Sequence, residues 1–385
     1  PIYLMQSNGG LTTSETASKL PMHIIESGPA GGVIGSQAIS KASGLENVIT
    51  FDMGGTTAKT SMIARGEVTR ALDMQVGGGI MHGSRLMTGA GYALKVPAID
   101  LAEVGAGGGS ILSIDTGGSL RAGPESAGAS PGPVCYDAGG ENPTITDANV
   151  ILGYINPDHL VGGAVKLNKE KAISVFKRKI AEPLGLSLED AAHGAHLISA
   201  SNMIRAIKAV STERGRNPRN YSLFAFGGNG PLFAAGMADA IGIKQVIVPP
   251  SPGLFSSFGL LYADVEHHYS RTFRRLLTDA DPQELTTAWE GLAKEALDEL
   301  NKEGFFGASA VIERSASLHY KGQIYELSVP APSGNFDSKK LAELAENFGQ
   351  EHEVVYGHRA GPEEPVELVN IAVIGRGIPD SSRVP

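Results

Sequence analysis

The run Phe51-Asp52-Met53-Gly54-Gly55-Thr56-Thr57-Ala58 puts one carboxylate at the end of an apolar stretch, followed at once by two glycines and two hydroxyls. That order suits a metal-phosphate group. Amides of a glycine turn can donate to phosphate oxygens, the Thr56 and Thr57 hydroxyls add donors, and Asp52 can hold Mg2+ directly or through water. The competing reading is an ordinary hairpin with an Asp-bounded turn. A second run, Phe226-Gly227-Gly228-Asn229-Gly230, joins an apolar strand to a helix. Bare backbone at such a junction lets a ring or a phosphate approach closely, although many strand-to-helix turns carry as many glycines.

Other side chains could also do chemistry. Asp100 and Glu103 flank the approach to Gly105-Ala106-Gly107-Gly108-Gly109-Ser110, and Asp147 lies in Thr146-Asp147-Ala148-Asn149. Each carboxylate can orient a substrate or metal, or simply cap a helix or close a turn; Asp147 reads as a cap. His82, in a glycine-rich stretch, is a candidate acid, base or ligand. His267 and His268 lack the spacing of a metal cluster. Cys135 has no base beside it in sequence and reads as a packed thiol rather than a nucleophile.

These residues need elements to position them. Apolar, β-branched runs at 48–52 and 58–64 around tight glycines predict an antiparallel hairpin and meander. Upstream, Ser27 is expected to cap a helix running to about 43, with Pro29 in its first turn. Residues 77–140 read as loop-rich surface with short strands only at 98–101 and 110–114. A long helix is expected over 187–215, with a Ser187/Asp190 capping box and Gly215 as its end. Strand 221–226, the glycine turn, helix 232–241 and strand 245–248 form an α/β crossover. Beyond 264 the order strand, helix, strand, strand, helix, strand predicts a ferredoxin-like domain with Lys321-Gly322 as a hairpin turn. The expected division is therefore 1–264 and 265–385.

Composition narrows the function. The 385 residues are 42% hydrophobic and 19% charged, enough apolar material for two or three cores. A net charge of -9 disfavours nucleic-acid binding, which needs a basic stripe. A single cysteine gives no sign of an oxidising compartment, so the cytoplasm is expected. No apolar run is long enough to span a bilayer. Many of the 50 glycines cluster at apparent strand ends, where backbone must turn through positive φ or approach a ligand.

The order of an Asp-Gly-Gly-Thr hairpin and a later strand-Gly-Gly turn resembles the second lobe of actin, sugar kinases and heat-shock ATPases. In such a lobe, a ribonuclease H-like fold, the first element is a phosphate loop and the second an adenosine loop. More narrowly, the chain resembles the hydantoinase A / 5-oxoprolinase family, whose relatives include ketone-carboxylase subunits. The resemblance is carried by Gln6 to Gly10, Ser27 to Gly32, Asp52 to Thr57, Gly105 to Ser110, Arg121 to Gly128, Pro131 to Tyr136, Pro143 to Asn149 and Phe226 to Pro231. Tyr320 to Leu327 and His352 to His358 extend it into the last domain.

The resemblance implies ATP-dependent opening of a cyclic amide, such as a hydantoin, N-methylhydantoin or 5-oxoproline, with a subunit of an ATP-dependent ketone carboxylase or a non-catalytic actin-like ATPase scaffold as the alternatives. It further implies Mg2+ (or Mn2+), a lactam substrate, a hydantoinase B-like subunit and an oligomer. Asp52 would hold the metal, with Asp100, Glu103 and His82 as catalytic candidates. Gly54, Gly55, Thr56, Thr57, Gly227, Gly228 and Asn229 would contact nucleotide. Lys59 stands where some relatives carry a carboxylate, which favours the hydantoinase branch. A second Asp-Gly-Gly-Thr-like hairpin is missing, and the chain opens on the strand-like Pro1-Ile2-Tyr3-Leu4-Met5. An N-terminal lobe is therefore expected to be absent, and these residues alone to bind Mg-ATP weakly.

Overall fold

The computed structural model describes residues 2–71, 74–76, 81–82, 91–361 and 363–379. In chain order the strands used below are β1 (Tyr3–Met5), β2 (Leu11–Thr13), β3 (Val48–Met53), β4 (Ala58–Ala64), β5 (Met81–His82), β6 (Ala102–Val104), β7 (Ser222–Phe226) and β8 (Val246–Ile247). They are followed by β9 (Val265–Leu276), β10 (Ala310–Tyr320), β11 (Leu327–Pro330) and β12 (Val366–Gly377). The helices used below are α1 (Ser27–Ala42), α2 (Ile145–Ile151), α3 (Leu188–Val210), α4 (Gly230–Ile241), α5 (Pro282–Lys302) and α6 (Ser338–Tyr356).

Strand β3 is buried on both faces, which is why it reads as a continuous apolar run. Ile49, Phe51 and Met53 pack with Met203, Ile207 and Phe233 of α3 and α4, while Val48 packs with Val33 and Ile34 of α1 on the other side. The sheet between these helices runs β8-β7-β3-β4-β6-β5. The β3-β4 pair is the expected antiparallel hairpin, and β7 lies parallel to both β3 and β8.

Helix α1 sits very close to its neighbours because its first turns are small. A Cβ on Gly32 would fall 2.4 Å from the Phe226 ring, and one on Gly31 2.6 Å from the Ser256 carbonyl. The expected Ser27 cap is not formed: Glu26 holds the cap position without a side-chain cap bond. Its carboxylate bonds Lys59 instead. The long helix has the Ser187 cap but ends at Val210, short of Gly215. Gly215 follows a separate 3-10 turn at φ +70°, and a Cβ there would lie 1.9 Å from the Val354 carbonyl of α6. The 77–140 stretch also holds more strand than expected, including β6 and Leu120–Ser126.

The second sheet runs β1-β2-β9-β12-β10-β11. Its expected βαββαβ element sequence is present, but the ferredoxin-like arrangement is not. A ferredoxin-like sheet would place the last strand at an edge; here β12 pairs with β9 on one side and β10 on the other. The edge beyond β9 is taken by β2, so the sheet crosses the cut expected at 264. One face carries α5 and α6 around Trp289, Leu344 and Phe348. The third strand begins at Leu327 rather than 323, because Gln323 closes a turn onto Tyr320 and reaches His352 at 3.1 Å.

Glu266, on β9, ties the second sheet to the short strand pair Arg70–Ala71 and Ala98–Ile99. Only 4% exposed, it meets Arg70 at 3.3 Å, Arg376 at 3.1 Å and His268 at 2.9 Å. Burial works against its charge, yet Arg70, His268 and Arg376 prevail and hold the carboxyl at about 2. A carboxyl depressed in the folded state contributes stability above its unfolded value that is lost as pH falls through the folded one. Glu266→Gln should therefore cost roughly 3 kcal/mol near pH 7. In urea unfolding, the gap between wild type and variant should narrow from pH 5 to pH 3.

Candidate functional site

Strand register sets one line of side chains across the first sheet. Phe226 pairs with Asp52, Asp52 with Lys59, Lys59 with Glu103, and Glu103 with His82. Directly opposed residues share a face, so Asp52, Lys59 and Glu103 fall in one row. The side chain of His82 lies outside the described residues; its backbone closes the row. Lys59, in the middle, lies 2.9 Å from Glu26 and 3.4 Å from Glu103. Burial alone would lower its pKa, but Glu103 and Glu26 raise it, so Lys59 stays charged. Sequence reasoning marked Lys59 only as a departure from relatives and overlooked Glu26, which directly precedes the quoted Ser27-Gly28-Pro29 run.

Asp52 lies at the end of the row against the second glycine turn. Burial pushes its carboxyl up to about 6, with Lys59 pulling the other way. A Cβ on Gly227 would stand 2.5 Å from Asp52 Oδ1, and Gly227 has φ +81°. Glycine is thus required twice over at this position. Asn229 ties the two turns together: its amide donates to the Met53 carbonyl at 2.9 Å and its side chain to the Gly54 carbonyl at 3.1 Å. By contrast, Gly54, Gly55 and Gly228 have nothing within 4 Å of where a Cβ would sit, and Gly55, Thr56 and Gly228 are exposed. The side where a Cβ would stand on each of these glycines faces open space.

The Gly105 to Ser110 segment supports the first turn from behind. Gly108 and Gly109 amides donate to the Gly54 and Gly55 carbonyls at 3.1 and 2.7 Å. A Cβ on Gly107 would come within 2.5 Å of Gly55, and one on Gly108 within 2.7 Å of Asn229 and Thr146. Thr146 fixes this segment through its hydroxyl, 2.8 Å from the Gly108 carbonyl. Asp100 lies outside the row and pairs with Arg214 at 2.7 Å. Asp147 is a cap, forming a capping box with Thr144 and accepting from the Val134 and Cys135 amides. Cys135 is buried, and burial followed by the Asp147 charge pushes its thiol well up, away from nucleophilic use.

Next to the row opens a cleft of about 790 Å³. Lys59, Glu103, Asp100 and Arg214 line one side, and residues of the second sheet and the 324–328 segment line the other.

This mixed α/β architecture has known counterparts. Residues 1–269 match the hydantoinase/oxoprolinase family and residues 277–377 its C-terminal domain, and the chain belongs to that family. Over 98% of its length it is 36% identical to the caprolactamase subunit alpha of Pseudomonas jessenii, covering 53% of that protein. Over 86% of its length it is 33% identical to the acetone carboxylase beta subunit of Xanthobacter autotrophicus, covering 45% of it. The crystal structure of the ATP-dependent caprolactamase from Pseudomonas jessenii matches 100% of the chain with a TM-score of 0.81 at 35% identity, over 53% of that chain. The chain therefore spans about half the length of these relatives.

Two outcomes test the site's construction. A carboxyl raised in the folded state contributes stability below its unfolded value and loses it as pH rises through about 6. Asp52→Asn should therefore stabilise the fold by up to ~3 kcal/mol at pH 8 and leave it unchanged at pH 4, read from paired melting curves. Gly227→Ala should cost about 2 kcal/mol or more. Gly228→Ala, with open space around it, should melt within about 0.5 kcal/mol of wild type.

Proposed function

We propose that the first sheet and its helices form an actin-like, ribonuclease H-like nucleotide lobe, and that the protein uses ATP to open a cyclic amide. The observation that carries this reading is the contact between Asp52 and the Gly227 turn, which sets a desolvated carboxylate between two stretches of open backbone. An antiparallel meander followed by two parallel strands also supports the lobe assignment.

The residues fit Mg2+ and a triphosphate. Among the described residues no three His, Cys, Asp or Glu side chains gather to hold a metal by themselves. Asp52 as the single protein ligand suits Mg2+, which keeps water and phosphate oxygens for most of its shell. A neutralising cation would also favour the ionised form that burial opposes. Gly55, Thr56 and Thr57 would donate to phosphate oxygens, Gly54 shapes the turn by bonding its amide to the Thr57 carbonyl, and the bare Gly227 to Asn229 backbone would lie under the nucleoside.

A lactam is a poor electrophile, and ATP supplies the phosphoryl group that makes its oxygen a leaving group. Lys59 places a fixed positive charge beside Asp52, where negative charge would gather. Glu103, opposite Lys59, can orient the amide N–H. The subunit names of the relatives support work as one subunit of a larger enzyme, and the proposal adds a hydantoinase B-like partner and a cytoplasmic setting. A second reading, a ketone-carboxylase subunit, draws on the similarity to the acetone carboxylase beta subunit. It predicts ATP consumption that needs both ketone and bicarbonate.

The test is a coupled ATPase and ring-opening assay on the full-length protein with its partner. Lactam should stimulate ATP hydrolysis, Asp52→Ala should lower turnover about 100-fold or more, and Gly228→Ala should weaken Mg-ATP binding while melting normally. Ring opening at an unchanged rate without ATP would overturn the proposal.

A further inference from the structure

The Gly54-Gly55 turn is held by its carbonyls. That of Gly54 accepts from the Gly108 amide and the Asn229 side chain, each at 3.1 Å, and that of Gly55 from the Gly109 amide at 2.7 Å. A trans peptide is planar, and its C=O and N–H point in opposite directions. Anchoring these two carbonyls therefore aims the Gly55 and Thr56 amides away from the support, on the exposed side of the turn. Among the described residues neither amide has a protein acceptor. The same rule, applied once more, reaches Thr146. Its hydroxyl and its own amide both donate to the Gly108 carbonyl, each at 2.8 Å. Since the Gly108 carbonyl and the Gly109 amide belong to one peptide, gripping the first points the second at the Gly55 carbonyl. Thr146 and two peptide planes thus stand in series, ending at the Thr56 N–H. A Cβ on Gly107 would lie 2.5 Å from the carbonyl carbon and oxygen of Gly55 and from the Thr56 nitrogen alike, so Gly107 packs flat on the last plane.

We infer that Thr146 is a positioning residue for phosphate binding: through the Gly108-Gly109 and Gly55-Thr56 peptides its hydroxyl aims the Thr56 N–H at a phosphate oxygen. The inference rests on the nucleotide reading and goes beyond it, because Thr146 is 5% exposed and acts only through the backbone it holds. Of the polar side chains in Thr146-Asp147-Ala148-Asn149, it is the one that reaches the support of the turn. Asp147 closes the capping box, and Asn149 bonds His196 at 2.9 Å. Two effects follow from the series. Each hydrogen bond polarises the next, so the terminal N–H is a stronger donor than an isolated amide. The amide is also oriented before the ligand arrives, which spares the ordering cost on binding. Without the hydroxyl the Gly108 carbonyl keeps one donor, and both effects weaken. The threonine methyl has no part in the series, so serine can replace it.

The probes are Mg-ATP and Mg-tripolyphosphate, titrated calorimetrically into the full-length protein. They share a triphosphate and differ by the nucleoside, so a defect common to both lies at the phosphates. Thr146→Val should weaken both about fivefold, and Thr146→Ser should bind both within about twofold of wild type. Ser211→Ala is the control for lost stability. It removes a buried hydroxyl that donates to the Ile207 carbonyl at 2.6 Å, just past the end of α3, and should lower the melting midpoint as much as Thr146→Val while binding both ligands as wild type does. Unchanged affinities in Thr146→Val, a loss confined to Mg-ATP, a Thr146→Ser variant as impaired as the valine one, or an equal loss in Ser211→Ala would each overturn the inference and leave the nucleotide reading standing. Wild-type protein that bound neither ligand would overturn both, so the two failures are distinguishable.

Discussion

The parallel pairing of β3 with β7 is the constraint on which the site depends. It brings the end of one strand, Asp52, level with the end of another, Phe226, so that each strand's following turn is built against its neighbour. Gly227 must then be glycine because the Asp52 carboxylate occupies the space a side chain would need. The same closeness removes water from Asp52 and raises its pKa, so one backbone contact sets both the shape of the turn and the protonation of the carboxyl.

The glycines of this region divide by what surrounds them. Those at 107 to 109 allow backbone to pack on backbone, holding the Gly54-Gly55 turn by two amide-to-carbonyl bonds from behind. Gly54, Gly55 and Gly228 face open space and have no packing reason to lack a side chain. A residue whose smallness serves nothing inside the fold is free to serve something outside it. This contrast, more than the number of glycines, separates the ligand-facing surface from its support.

Much of this was legible in sequence wherever the cause is local. The β3-β4 hairpin follows from β-branched runs around a tight turn, and the Asp147 and Ser187 caps from side chains that bond a backbone three residues away. Where partners are distant, the sequence was silent or misleading. Nothing near Ser27 shows that Glu26 is drawn to Lys59, 33 residues on, so the cap was misassigned. The row from Phe226 to His82 depends on register across strands up to about 170 residues apart. The order of the second sheet was hidden for the same reason, because β2 comes from the other end of the described chain and pairs with β9, carrying β1 with it. Gln323 lies in a run that alternates like a strand, but it closes a turn onto Tyr320 and bonds His352, 29 residues on, instead of joining the sheet.

The two sheets meet through a shared apolar core, in which Met5 and Leu11 of β1 and β2 pack with Val48, Ile63, Phe224 and Phe226 of the first sheet, and through charges besides. Glu266 gathers Arg70 and Arg376, and Arg216 reaches Glu351 of α6 at 2.8 Å. Ion pairs are directional and fix orientation without filling space, so they can hold two bodies in register while leaving a gap between them. The cleft opens where such charges line the gap. Its floor is the face of the second sheet that α5 and α6 do not cover, and its charged wall continues the line of side chains that begins at Asp52.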